Sequence, residues 1–251
     1  MKLRLGRLAL AKSKDAKTSD PYLFVSIRTP RKTFRRLEQL AFDLIPRFGE
    51  AGLHLLISGW HEDGENIRII NLWKLDSANS LVTAELRLVD DPEYLELDGL
   101  LAEEDKQIVI SVTDVSLVGE VDSAVARRAK EAAAARRLKK VAPPSAEGDR
   151  YVYVVVTNHV DTSDLAEFRA RYEARGDAFR NATGWLGGDG FLGLTGQDDI
   201  VYQVWRVPEQ RVTSVADLLT RTPWDDVSDE NATFEILQPS AFDQLMPLPR
   251  I

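Results

Sequence analysis

The sequence predicts an α+β protein in which two copies of a β-α-β-β-α-β unit pack sheet to sheet into one intramolecular α/β barrel. Three observations carry this expectation. First, the halves match in order: Tyr22-Leu-Phe-Val-Ser-Ile-Arg with Tyr151-Val-Tyr-Val-Val-Val-Thr, Asn71-Leu-Trp73-Lys with Gln203-Val-Trp205-Arg, Pro92-Glu-Tyr with Pro223-Trp-Asp, and Ile108-Val-Ile-Ser-Val with Phe234-Glu-Ile-Leu, at a spacing of roughly 129 residues. Second, hydrophobic periods of two and of 3.6 residues alternate in the same order in each half. Third, the strands carry one aliphatic face and one face that mixes aromatic with polar groups, so each sheet has two sides to cover.

In the first half a strand over 22–29 leads into a helix over 32–49, where Phe34, Leu37, Leu40, Ala41, Leu44 and Ile45 recur at helical spacing. A strand over 53–60 and a strand over 66–75 flank Glu62-Asp63-Gly64-Glu65, and an Asp-Gly pair between strand-like runs signals a hairpin. A helical stretch within 79–103 and a strand over 107–115 close the unit. In the second half a strand over 151–160 precedes a helix over 163–182, for which Thr162 or Ser163 can serve as the cap, with Asp164 favourable near its positive end. Strands at 190–195 and 199–207 turn at Gly196-Gln-Asp-Asp, and a helix over 213–221 and a strand over 233–238 follow. This order is the ferredoxin-like, split β-α-β arrangement.

The units take residues 21–118 and 150–251. Residues 1–20 form a basic arm, with Lys2, Arg4, Arg7, Lys12, Lys14 and Lys17 against Asp15. Residues 119–149 form a basic linker. Its Ala/Arg/Lys run at 124–141 is built of strong helix formers and ends at Pro143-Pro144.

Composition narrows the function. The 251 residues hold no cysteine, which excludes disulfides, thiolate catalysis, zinc–thiolate sites and iron–sulfur clusters. A net charge of −8 argues against nucleic acid as a partner of the whole chain. No apolar run approaches the about 18 residues that cross a bilayer, and charges interrupt the N-terminal Leu residues, so neither a membrane span nor a signal peptide is expected. A cytoplasmic location is the expectation from the missing cysteines and signal segment.

The mixed strand faces mark the candidate site. Alternation assigns Leu23, Val25 and Ile27 to one face and Phe24, Ser26 and Arg28 to the other. It sets Leu53, Leu55 and Ile57 against His54, Leu56, Ser58 and Trp60, and Val152, Val154 and Val156 against Tyr153, Thr157 and His159. Asn71 falls with Trp73, and Gln203 with Trp205. Aromatic walls with sparse hydrogen-bonding groups describe a ligand pocket, and two such faces enclosed between the sheets would form it.

The β-α-β-β-α-β unit, the strand ending Asn71-Leu-Trp73-Lys-Leu-Asp, the later Asp91-Pro92-Glu-Tyr, and in the second half Gly190-Phe-Leu-Gly-Leu and Ile200-Val-Tyr-Gln-Val-Trp205 resemble the dimeric α/β-barrel superfamily. The resemblance covers about 22–118 and 151–240, and NIPSNAP-like and antibiotic-biosynthesis-monooxygenase-like members are the most similar. It implies a small hydrophobic, aromatic ligand, and for an enzyme a cofactor-independent monooxygenase or cyclase of natural-product biosynthesis. In monooxygenase-like members an Asn and a Trp on barrel strands hold the substrate. Asn71 and Trp73 match that pair, and the second half departs from it with Gln203 and Trp205. Many members close their barrel by dimerising; a tandem copy closes it within one chain, and a homodimer stays open as an expectation.

Residue roles follow. His54 and His159 have the pKa range for moving a proton, with Asn71 beside them as the third catalytic candidate. Arg28, Ser58, Tyr153 and Gln203 are candidates for orienting a ligand, and Arg28 can equally pair with a neighbouring acid. Trp60, Trp73 and Trp205 either stack on a planar ligand or fill the barrel. A metal site is not expected, because His61-Glu62-Asp63 are consecutive and would point to alternating faces. Two other readings stay open. One is a haem-binding barrel like chlorite dismutase or the haem-degrading members, with haem as the cofactor. The other is a non-enzymatic interaction protein that uses the basic arm and linker helix.

Overall fold

Proline and glycine punctuate the first half. In the computed structural model, β1 (Pro21–Pro30) ends on a proline, and α1 (Arg31–Glu50) starts at the next residue. Leu37, Leu40 and Leu44 of α1 are buried, as their spacing predicts. Strands β2 (Leu53–Asp63) and β3 (Asn66–Leu75) form the expected hairpin, with Asp63 paired to Asn66 across a two-residue turn. Gly64 sits there at φ +63°, a conformation that costs a glycine little.

The single helical stretch expected within 79–103 is two helices, α2 (Ser80–Leu88) and α3 (Pro92–Gly99). The break comes from capping chemistry: Asp91 Oδ1 accepts the backbone N–H groups of Glu93 and Tyr94 at 2.9 and 3.2 Å, and Pro92 occupies the first helical position. β4 (Glu103–Ser111) begins four residues earlier than the apolar pattern suggests. Its acidic start reads as loop, yet it pairs with β1, Glu103 opposite Arg28.

The second half contributes β5 (Tyr151–His159), α4 (Leu165–Thr183), β6 (Leu186–Gly193), β7 (Ile200–Pro208) and β8 (Thr233–Pro239). The described residues are 21–111, 151–161, 163–183, 186–194, 200–209 and 231–241, with 214, 216 and 228. The predicted arm at 1–20, the linker at 119–149, the cap Thr162, the turn at 196–199 and most of the helix at 213–221 lie outside them.

All strand pairs are antiparallel, and the sheet closes as β1-β3-β2-β8-β5-β7-β6-β4. Each half runs in the order fourth, first, third, second strand. The halves join edge to edge through β2–β8 and β4–β6, so the barrel has no free edge. The β2–β8 seam is short, with Gly59 opposite Pro239 and Trp60 opposite Gln238.

Three apolar layers result. Phe24, Ile70, Leu72, Tyr153, Tyr202 and Leu237 are among those filling the barrel interior. Leu23, Val25, Leu55 and Ile69 pack outward under Leu37 of α1, and Val152, Val154 and Val156 pack outward with Tyr172 of α4. No helix among the described residues is long and apolar enough to cross a membrane.

The face assignment on β2 needs correction. The β2–β3 register shifts between Leu55 and Ile57, so a bulge reverses the alternation. Ile57 turns into the barrel interior, while Ser58 and Trp60 turn toward the helix layer. Asn71, Trp73, Gln203 and Trp205 also lie on the outer, helix-covered side rather than inside the barrel.

Candidate functional site

Two spaces stand out among the described residues. At one end of the barrel, β1, β3, β4, β5, β7 and β8 frame a cavity of about 450 Å³. Its inner wall is the stacked pair Phe24 and Tyr202, ring centroids 4.0 Å apart. The Tyr202 hydroxyl donates to Gln107 Oε1 at 3.1 Å, and burial together with the nearby Asp105 pushes its pKa up to about 12. The rim is charged. Arg28 and Arg68 stand directly opposite one another on β1 and β3, a repulsive placement relieved by acids. Arg28 pairs with Asp63 at 3.0 Å and Glu103 at 2.8 Å, and Arg68 with Glu235 at 2.9 Å. His61 Nε2 lies 3.1 Å from the same Glu235 carboxylate. That hydrogen bond holds the His61 pKa above its ordinary value, against the opposing effect of burial.

The second space is a narrow crevice of about 100 Å³ between α1, α2, α3 and the outer face of the first-half sheet. Apolar side chains of both layers line it, among them Leu37, Ile45, Trp60, Ile69 and Trp73. Phe34 packs on Trp60 and Phe48 on Trp73, at centroid distances of 5.2 and 5.5 Å. Across this apolar floor runs a polar row. Ser58 pairs with Asn71 across β2 and β3, and Ser240, just past β8, donates its N–H to the Ser58 carbonyl at 2.9 Å. Asn71 Oδ1 and Ser240 Oγ are buried with no hydrogen-bond partner among the described residues. Ser240 as a whole is 2 % exposed.

Ionisable groups edge the same crevice. Burial pushes the Glu38 carboxyl pKa up, only partly opposed by the Ala241 N–H that it accepts and by Arg35. Lys106 Nζ lies 3.0 Å from Glu104 and 3.7 Å from Glu85. Burial alone would lower the Lys106 pKa, but these carboxylates outweigh it and hold the ammonium charged. Burial raises the pKa of the Tyr94 phenol, which lines the crevice near Lys106.

Of the residues picked from sequence, Asn71, Ser58, Trp60 and Trp73 come together, and they do so in this crevice. Arg28 lines the barrel end and is paired with acids. Tyr153 fills the barrel interior, 4 % exposed and edge-on to Tyr151. Gln203 and Trp205 are fully buried, and the Trp205 indole N–H donates to Gln203 Oε1 at 3.2 Å. His54 and His159 belong to neither space. His54 is exposed at the start of β2, its Nε2 3.1 Å from Asp76, and His159 is exposed at the end of β5. Alternation placed both on an inward face, but strand ends project past the barrel into solvent. Sequence reasoning missed Ser240, Glu38 and the Lys106 group. Ser240 comes from the far half of the chain, and only barrel closure brings it to Ser58.

No protein-family model and no curated protein matches the sequence. Solved structures do. The chain is similar to a proposed monooxygenase from Lactobacillus acidophilus NCFM, with TM-score 0.52 and 12 % identity over 87 % of this chain and 93 % of that one. A second proposed monooxygenase, from Fusobacterium nucleatum subsp. nucleatum, gives TM-score 0.51 and 11 % identity over 88 % and 93 %. A protein described as anthrone oxidase-like gives 0.51 and 10 % over 90 % and 93 %. The likeness is one of fold. These monooxygenase-like barrels share the closed α+β architecture, and at such identities no residue role transfers with it.

Proposed function

We propose that the chain binds a small aromatic molecule in the crevice beneath α1. One observation carries this reading: two buried polar atoms, Asn71 Oδ1 and Ser240 Oγ, lack partners in a space whose other walls are largely apolar and include Trp60 and Trp73. A buried group left unpaired costs about 1–3 kcal/mol, so a folded protein seldom keeps two together unless something completes them. A ligand hydroxyl would do so, with its ring against the tryptophans. For a reaction, the resemblance and the monooxygenase-like fold support cofactor-independent oxygenation or cyclisation of that ligand. Asn71 would hold its hydroxyl, and Glu38, with its raised pKa, would exchange a proton. The NIPSNAP-like tandem origin and a cytoplasmic setting belong to the same proposal, the former resting on the sequence matches between the halves.

The crevice does not suit haem. Sites for ligands of drug size measure about 300–1,000 Å³, and haem is larger still, whereas the crevice measures about 100 Å³. No histidine lines either space among the described residues, so an imidazole ligand to iron is missing from both.

The test is a tryptophan-fluorescence titration of the full chain with hydroxylated one-, two- and three-ring aromatics. A saturable change that Asn71→Leu weakens about 5- to 30-fold, the worth of one hydrogen bond of 1–2 kcal/mol, is expected. No saturable change with any of them overturns the reading. Oxygen uptake with a compound that binds then separates oxygenation from binding alone.

A further inference from the structure

Resting on that reading, we infer that the crevice selects single-ring aromatic ligands that donate hydrogen bonds, phenols or protonated arylalkylamines, and rejects the corresponding carboxylic acids. Size supplies the first part. The crevice measures about 100 Å³, and an apolar cavity of about 150 Å³ is known to hold benzene. One ring is therefore accommodated by small shifts of the lining side chains. Two fused rings would have to part α1 from the sheet, which buried Leu37 and Leu40 oppose.

Charge and hydrogen bonding supply the second part. The ionisable groups that line the crevice are Glu38, Glu85, Glu104, Lys106 and the neutral phenol of Tyr94. Three carboxyl groups thus face one ammonium. That ammonium is already engaged, 3.0 Å from Glu104 and 3.7 Å from Glu85. An incoming carboxylate would be stripped of water among apolar walls and meet no unengaged lining cation, and it would add to an excess of negative charge. Asn71 Oδ1 is an acceptor awaiting a donor, and a carboxylate has none to give. A phenol or an ammonium group has one, and an ammonium group is further favoured by the acidic lining. Ser240 Oγ, able to donate or accept, accommodates either.

Matched single-ring probes test this on the full chain at pH 7.5: m-cresol, benzylamine and benzoate, with 1-naphthol for size, each followed by tryptophan fluorescence. Saturable binding of m-cresol and benzylamine is expected, with benzoate and 1-naphthol at least ~10-fold weaker. Glu104→Gln should release Lys106 and raise benzoate affinity relative to m-cresol at least ~10-fold. Glu85→Gln, at the longer contact, should shift benzoate in the same direction by less, and it serves if Glu104→Gln does not fold. Benzoate binding as tightly as m-cresol, or no gain for benzoate in either variant, overturns the charge argument. Tight 1-naphthol overturns the size argument. Both of those results leave crevice binding standing, whereas silence from every probe, together with silence from the larger aromatics, removes the proposed function itself.

Discussion

Gly59→Ala puts the barrel closure to a quantitative test. Gly59 lies on β2 at the short seam with β8. A Cβ there would come 2.8 Å from Leu237 Cβ, 3.2 Å from Leu237 Cδ1 and 3.3 Å from the Gln238 carbonyl oxygen. Two of these neighbours cannot swing away: one is a Cβ, fixed by its backbone, and the other is backbone itself. Leu237 is fully buried in the barrel interior, so relief requires β8 to move outward from β2. Forcing a methyl group into such a place costs about 1–3 kcal/mol. The alanine also restricts the unfolded chain, which returns about 0.4–1 kcal/mol. The strain wins, leaving a net loss of about 1–2 kcal/mol. At roughly 2–4 °C per kcal/mol for a chain of this size, the melting temperature should fall by about 2–8 °C. Gly49→Ala is the control. Its added Cβ meets nothing within 4 Å, so only the helix-stabilising gain of about 0.5–1 kcal/mol remains. Thermal and urea melts of the two variants beside wild type read the difference. A Gly59→Ala protein melting at or above wild type would refute the seam geometry.

Three further outcomes follow from the same contacts. The His61–Glu235 hydrogen bond raises the folded-state His61 pKa, so its stabilisation is complete below the ordinary value of about 6.5 and fades as pH rises through the raised one. Urea melts at pH 5.5 and 8.5 should show wild type losing about 0.2–1 kcal/mol more than His61→Gln over that interval, a small figure because the pair is partly exposed. Asn71→Leu replaces an unpaired buried acceptor with an apolar group, so stability should hold or rise by up to about 2 kcal/mol while ligand binding weakens; a clear loss of stability in the same melts would mean that Asn71 is already partnered. Tyr202→Phe keeps the ring stacked on Phe24 and removes the hydroxyl bond to Gln107, at a cost of about 1 kcal/mol by denaturant unfolding. In the wild-type protein the Tyr202 phenol should still be neutral at pH 10, so Tyr202→Phe should leave tyrosinate absorbance at that pH unchanged.

Element order was legible because it rests on local signals: the helical spacing in α1, the Asp-Gly turn of the β2–β3 hairpin and the valine alternation of β5. Boundaries failed where the signal was tertiary. The acidic start of β4 becomes a strand because β1 offers it a partner and Arg28 offers it a counter-charge. The site was harder still. On β3 the run Asn66-Ile-Arg-Ile-Ile-Asn-Leu-Trp-Lys-Leu buries both faces, Ile67 and Ile69 under the helix and Ile70 and Leu72 inside the barrel, so alternation gives no phase. On β2 the phase is readable, but a bulge reverses it midway, and no residue between Leu55 and Ile57 announces one. Asn71, Ser58, Trp60 and Trp73 were therefore recognised as a group by residue type and assigned to the wrong side of the sheet.

That reversal changes what the matching halves mean. Gln203 and Trp205 stand in β7 where Asn71 and Trp73 stand in β3, and both pairs face the helix layer. In the second half the glutamine, one methylene longer, accepts the hydrogen bond of its own tryptophan, and both residues are sealed from solvent. In the first half the shorter asparagine leaves its oxygen unpartnered, and Trp73 packs edge-on against Phe48. The same position thus closes upon itself in one half and stays chemically incomplete in the other. The half that stays incomplete also borrows Ser240, from just beyond β8, for its polar row. Among the described residues, the Asn71 position therefore offers the proposed crevice an unpaired acceptor where its counterpart Gln203 is satisfied by Trp205, so the two halves are not equivalent at this position.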